Sequence, residues 1–158
     1  MDKANRQWRL VSRPAGMPEP GNWELVEGPI PDPGEGQLVA RACWLSVDPY
    51  MRGRISAGPS YARPVEPGEV MQGGGVGVVV KSRHPGFRPG DVVESMGWGW
   101  QDYATLDPRG TRKVDPSLGP MRHALGVLGP EGRGLGYGRS GVSLISGTFG
   151  KAFGSGGA

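Results

Sequence analysis

The chain has 158 residues, 30 of them Gly and 16 Pro. That excludes a long-helix protein, because Gly costs about 1 kcal/mol and Pro about 3 kcal/mol in a helix interior. The formal charge is +3, with 18 scattered basic residues and no cluster of them, which argues against a nucleic-acid patch; the single cysteine, Cys43, excludes an internal disulfide and a multi-cysteine zinc site. No apolar stretch approaches the ~18 residues of a membrane span. The five Trp and four Tyr set the chain apart from disordered sequences, which are poor in aromatics.

In chain order, the polar start around Met1–Arg6 lacks an apolar signal segment and is expected to belong to a cytoplasmic protein. Trp8 and Leu10 alternate with polar neighbours until Arg13-Pro14, and Trp23 and Leu25 until Gly28-Pro29. The residues from Pro29 to Gly36 form a rigid, turn-rich connection. Leu38–Leu45 reads as a longer strand, Val76–Val80 as a short buried one, and Asp91–Met96 and Tyr103–Leu106 complete the set. Short strands with Gly and Pro punctuation predict a mainly β fold, a small barrel or sandwich. Residues 46–70 lack periodicity, the mark of a functional or disordered loop. Residues 129–158 hold 11 Gly in 30 positions and only Glu131, Arg133, Arg139 and Lys151 as charged side chains.

Several motifs fit only on paper. Gly136-Tyr137-Gly138-Arg139-Ser140-Gly141 matches G-x-G-x-x-G, but Val142–Ser146 after it reads as a strand where a dinucleotide site needs a helix. Gly147-Thr148-Phe149-Gly150-Lys151 has neither the spacing of a phosphate loop nor its Ser or Thr, since Ala152 follows. Gly73-Gly74-Gly75 reads as a turn or a close backbone approach at a strand start. His84 and His123 have no third ligand at metal spacing, so capping or surface roles are expected and no metal.

From about residue 5 to 129 the chain resembles the zinc-independent medium-chain reductases, the group of prostaglandin, alkenal and curcumin reductases. The strings that carry the resemblance are Arg13-Pro14 with Gly16 and Pro18, Pro33–Gln37, Leu45–Arg54 with its core Asp48-Pro49-Tyr50-Met51-Arg52, Val70–Gly74, Gly90–Val93 and Gly99–Tyr103. The resemblance implies a GroES-like β-barrel over residues 1–122 and reduction of the C=C bond of α,β-unsaturated carbonyls by NADPH. Zinc-dependent relatives have Cys where Ser46 stands and Gly-His-Glu near Gln72-Gly73-Gly74, so it also implies a metal-free site. Charge on the carbonyl oxygen must then be met by hydrogen-bond donors. Tyr50 is the expected catalytic donor; Asp48, Pro49, Met51 and Arg52 would shape the nicotinamide end, and Tyr61 the substrate wall. Tyr50 equally reads as a packed aromatic. Arg52 and Arg54 equally read as solvated charges or internal ion-pair partners.

The family's next segment, a complete Rossmann domain, has no match here: Pro130-Glu131-Gly132-Arg133-Gly134 follows Gly129. The implied enzyme is truncated and inactive alone. Residues 123–158, a short Gly-rich tail, resemble instead part of the pyridoxal-phosphate-dependent α-oxoamine synthases, with Lys151 at the cofactor lysine and His123 at the motif histidine. Pro120 stands at that family's aspartate, so pyridoxal phosphate is not expected to bind. The chain thus reads as a join of two families, with a noncatalytic GroES-like binding module acting through residues 46–70, or a pyridoxal-phosphate transferase fragment, as alternatives. A small-molecule enone is the expected partner, with no nucleic acid and no membrane, and a homodimer is allowed.

Overall fold

Alternation at the two ends of the first 28 residues produces a two-stranded antiparallel sheet. In the computed structural model, β1 (Asn5–Leu10) pairs with β2 (Trp23–Gly28). The structure describes residues 4–56, 58 and 62–125, and the backbone of 135–137 and 143–146. Cover along one face of this sheet is uneven. Leu10 is fully buried, whereas Trp8 and its cross-strand partner Leu25 are 45% and 46% exposed. The alternation therefore marks a strand without placing Trp8 in the core.

The larger sheet is built around β3 (Leu38–Val47), ten residues that run two past the expected end at Leu45. Antiparallel to it lies β4 (Gly75–Ser82), followed by β5 (Val92–Ser95) and β7 (Thr111–Lys113). On its other edge β3 pairs with β6 (Tyr103–Leu106) over Leu38–Arg41 and, in parallel, with β9 (Ser143–Ser146) over Trp44–Val47. β8 (Leu135–Tyr137) lies outside β9. The fold is mainly β as expected, and among the described residues the only α-helix is α1 (Met51–Arg54), a single turn. Among the described residues no helix is long and apolar enough to cross a membrane.

Two register shifts bend β3 against β4, one between Val39 and Ala40 and one between Ala42 and Trp44, where Cys43 is the extra residue. Such bulges sharpen the local twist, which lets a sheet curl toward closure. Burial raises the pKa of the Cys43 thiol.

The core has two parts. Leu38, Ala40, Ala42, Leu45, Val79, Val93, Trp98, Ala104 and Leu106 fill the large sheet. Leu10, Met51, Ile55, Val65 and Met71 form a second cluster under the 48–71 segment. Trp100 packs against both and stacks at a tilt on Trp23, 5.3 Å between ring centroids. Each fully buried Leu, Val or Met side chain contributes about 1.5–3 kcal/mol, so the second cluster anchors the chain around Met51, Ile55, Val65 and Met71.

The small sheet is laced to the large one by polar groups. Asn5 Nδ2 donates to the Tyr103 carbonyl at 3.0 Å, and Asn5 Oδ1 accepts from the Tyr103 N–H at 2.8 Å. Arg6 pairs with Asp102 at 2.6 Å, and Gln7 donates to Gln101 at 2.8 Å.

Candidate functional site

The end of β3 sets the position of the site. Ser46 is 3% exposed. Its N–H donates to the Gly74 carbonyl at 2.9 Å, and its Oγ accepts from the Gly74 N–H at 3.0 Å. Its carbonyl accepts from Trp100 Nε1 at 3.1 Å. With Ser46 held on three sides, the chain leaves the sheet at Val47 and turns through Asp48-Pro49 into α1. Pro at the first turn costs no helical hydrogen bond. The turn closes through Met51 N–H to Asp48 carbonyl, 3.1 Å, and Gly53 N–H to Tyr50 carbonyl, 3.0 Å.

This single turn separates side chains by face. Tyr50 and Arg54, four residues apart, share one side, and the Arg54 guanidinium lies over the Tyr50 ring, 5.6 Å from its centroid. Such a contact is a cation–π pair, worth about 0.5–2 kcal/mol. Met51 points into the second core cluster, 4% exposed. Arg52 turns outward. Its guanidinium donates to the Gly16 carbonyl at 2.7 Å and to Ser56 Oγ at 2.8 Å.

The loop is clamped from both flanks. Arg13 reaches Glu66 at 2.8 Å and the Ser56 carbonyl at 3.4 Å, and the Val65 N–H donates to the Arg54 carbonyl at 2.8 Å. Arg63 pairs with Glu69 at 2.6 Å. The Arg63 hydrogen bond, helped by the Glu66 N–H, lowers the Glu69 pKa from its ordinary value.

The Gly73–Gly75 run is a close approach. A Cβ at Gly73 would lie 2.7 Å from Met51 Cε, at Gly74 3.0 Å from Met96 Sδ, and at Gly75 2.5 Å from the Trp98 ring. None of the three has a positive φ, so contact, not backbone conformation, selects glycine there.

Between these parts lies a cavity of about 470 Å³ lined by Tyr50, Arg54, Gln72, Met96 and Gly97. That volume is within the range of small-molecule sites. The backbone at Gly73 and Gly74 approaches Met51 and Met96 closely, and Met96, 64% exposed, stands at the open side. Arg54 is 9% exposed, and no carboxylate lines the cavity among the described residues.

The structure places Tyr50 at the cavity and Pro49 beside it on the exposed surface. Met51 and Arg52 are engaged within the fold. Tyr61 and Lys151 lie outside the described residues. His123, half-buried in a short 3-10 segment, donates its N–H to the Pro120 carbonyl at 2.9 Å. His84 Nδ1 accepts from the Gly86 N–H at 3.0 Å, a turn cap. Among the described residues no group of three or more His, Cys, Asp or Glu could hold a metal. Sequence reasoning missed Gln72, Met96 and Gly97, which converge only through the tertiary fold. Arg54 was legible as the residue four after Tyr50, and Arg13 as part of a quoted string.

A family model described as the N-terminal domain of oxidoreductase matches residues 6–114. The NADPH-dependent curcumin reductase of Escherichia coli is 47% identical over 129 residues, 81% of this chain and 37% of that protein. The 2-alkenal reductase of Nicotiana tabacum is 32% identical over 135 residues, 82% of this chain and 39% of that protein. The structure of CurA from Vibrio vulnificus superposes with a TM-score of 0.71 at 43% identity, over 81% of this chain and 38% of that one; a second structure of the same protein is its complex with NADPH. The chain therefore spans less than two-fifths of the length of these relatives. The matched region carries Ser46, the Tyr50 turn, the glycine run and the cavity. The chain belongs to the medium-chain dehydrogenase/reductase oxidoreductases, whose GroES-like N-terminal domain it contains.

Proposed function

We propose that residues 1–122 form the substrate half of a reductase that uses NADPH to saturate the C=C bond of an α,β-unsaturated carbonyl compound. The observation that carries this reading is Tyr50 lining a cavity of about 470 Å³ at the end of a strand locked by Ser46, Gly74 and Trp100. A phenol held there donates a hydrogen bond to the substrate carbonyl oxygen. As the β-carbon is reduced, negative charge grows on that oxygen, and a donor already aimed at it stabilises the transition state more than the ground state. Met96 and Gln72 frame the acceptor's carbon skeleton.

NADPH, when bound, supplies the hydride. The residues present fit it unequally. Pro49 is exposed beside Tyr50 and offers a flat apolar surface to a nicotinamide ring. Met51 is buried and Arg52 already holds Gly16 and Ser56, so these two act by fixing the turn that carries Pro49 and Tyr50.

The test joins residues 1–122 to the cofactor half of the Escherichia coli relative and follows NADPH oxidation with an enone. Turnover is expected, with a loss of about 10²-fold in kcat on Tyr50→Phe, the scale of removing one oxyanion donor. The 158-residue chain by itself is expected to stay at background. A Tyr50→Phe fusion that retains full kcat refutes the role of Tyr50.

A further inference from the structure

The cavity wall carries a sulfur atom that solvent can reach. Of the described methionines Met96 is the most exposed and Met17 the second, while Met51 and Met71 are buried. Among these four only Met96 lines the cavity, with Tyr50, Gln72 and Gly97. Its place is fixed by the backbone. Ser95 Oγ donates to the Gly110 carbonyl at 2.8 Å and accepts from the Gly97 N–H at 3.2 Å, which pins the turn on both sides of Met96. The Met96 sulfur seats against Gly74, 3.0 Å from where a Cβ would stand. With glycine on its inner side, the sulfur is approached from the open side of the cavity.

A thioether is oxidised where an oxidant reaches it, and the sulfoxide is a polar, chiral group in place of an apolar one. A hydroperoxide transfers its terminal oxygen to the sulfur. The O–O bond breaks and an S–O bond forms; the sulfur gives up two electrons and the peroxide takes them. The proton of the transferred oxygen passes to the departing oxygen, which leaves as an alcohol, or as water from hydrogen peroxide. Because Gly74 occupies the inner side of the sulfur, the new oxygen stands toward the cavity. There it holds water and withdraws apolar contact from a ligand's carbon chain. Cys43, the single thiol, competes poorly for the oxidant: it is half-buried, and burial raises its pKa, which keeps it in the unreactive protonated form.

We propose that Met96 is a modification site, oxidised by hydroperoxides to the sulfoxide, and that the change weakens binding of apolar carbonyl compounds in the cavity. The effect on binding rests on the substrate reading above and adds regulation to it; the oxidation itself rests on the exposure and seating of Met96.

The experiment treats the full 158-residue chain with hydrogen peroxide and maps oxidised methionines by mass. Met96 is expected to oxidise about tenfold faster than Met51 and Met71, which their burial protects. Methyl hexyl ketone, a saturated probe, is then titrated and read at the Gly97 amide resonance. Its affinity is expected to fall about fourfold on conversion of Met96, the scale of one methylene of lost apolar contact. Methionine sulfoxide reductases should restore it. Met17→Leu should keep the whole response. Met96→Leu should abolish it, with the same affinity before and after peroxide whatever its starting value. Oxidation of Met96 no faster than that of Met51 overturns the proposal, and so does unchanged ketone affinity once Met96 is fully converted; both leave the substrate reading standing. Recovery with dithiothreitol alone also overturns it, by assigning the response to Cys43. Failure of the untreated chain to bind the ketone overturns the proposal and removes support from the reading as well.

Discussion

At Gly77 the α-hydrogen faces the backbone of the neighbouring strand. A methyl there would stand 2.0 Å from the Arg41 carbonyl oxygen and 2.8 Å from the Trp98 ring. Neither can retreat: Arg41 lies beside the bulge of β3, and Trp98 is fully buried. Gly77→Ala is therefore expected to destabilise the chain by about 3 kcal/mol, the upper range of overpacking. Gly34 gives the opposite case. A methyl there meets only the tip of the Gln37 side chain, at 2.7 Å, and that tip accepts a single exposed hydrogen bond from the Gly34 N–H. Gln37 can rotate away, so Gly34→Ala should cost about 1 kcal/mol or less. Urea midpoints of the two variants at unchanged m separate the cases; similar losses at both sites would show that the close approach at Gly77 is relieved by strand movement.

At the scale of elements, β1–β2 is a two-stranded sheet, and such a pair is marginal alone. Asn5 supplies a two-way bond to the Tyr103 backbone, buried on both sides. Asn5→Ala would leave a buried N–H and a buried carbonyl unpartnered, and is expected to cost about 2–4 kcal/mol. Amide exchange should show β1 and β2 opening before β3 and β4 in that variant; simultaneous opening would mean that the Leu10 cluster, not Asn5, docks the sheet. A second device closes the turn before β7. Asp107 accepts hydrogen bonds from the Arg109 side chain and N–H, which lower its pKa from 3.8 to about 2. A carboxyl whose folded pKa is depressed contributes stability above its unfolded value, lost as pH falls through the folded one. The turn should therefore hold at neutral pH and weaken below 3.8 toward about 2. Carboxyl chemical shifts of Asp107 follow this directly, and Arg109→Gln should move its midpoint up toward 3.8. Period-two patterning revealed β1 and β2, where apolar and polar residues alternate, whereas β4 stood out as a short run of apolar residues. β7 stayed hidden because Thr111-Arg112-Lys113 has no apolar residue to betray it; it is placed by pairing with β5. Trp8 and Leu25 share a face with the buried Leu10, yet cover on that face does not reach them. Tyr50 was legible through its resemblance-bearing string, while Gln72 and Met96 reach it from segments that only the folded barrel brings together.

For the whole molecule, the question is how the C-terminal strands relate to the barrel that the family model matches over residues 6–114. β9 runs parallel to the last four residues of β3, pairing Trp44 with Ser143 through Val47 with Ser146. It covers that edge just before the chain enters the Tyr50 turn. The opposite side of this stretch is held independently by Ser46 with Gly74 and Trp100, and both core clusters are built from residues between Leu10 and Leu106. We infer that residues 1–122 are the folding unit and that β8 and β9 add an edge to it. A chain ending at Leu125 should then keep the cooperative unfolding of the barrel. Its amides in Trp44–Val47 should exchange about tenfold faster than in the full chain, the effect of losing roughly one hydrogen bond's net stabilisation or slightly more. Protection in β1, β4, β5 and β6 should stay within about twofold. Loss of protection throughout the shortened chain would refute this division and make the last strands part of the core; unchanged exchange at Trp44–Val47 would show that β9 does not hold that edge in solution.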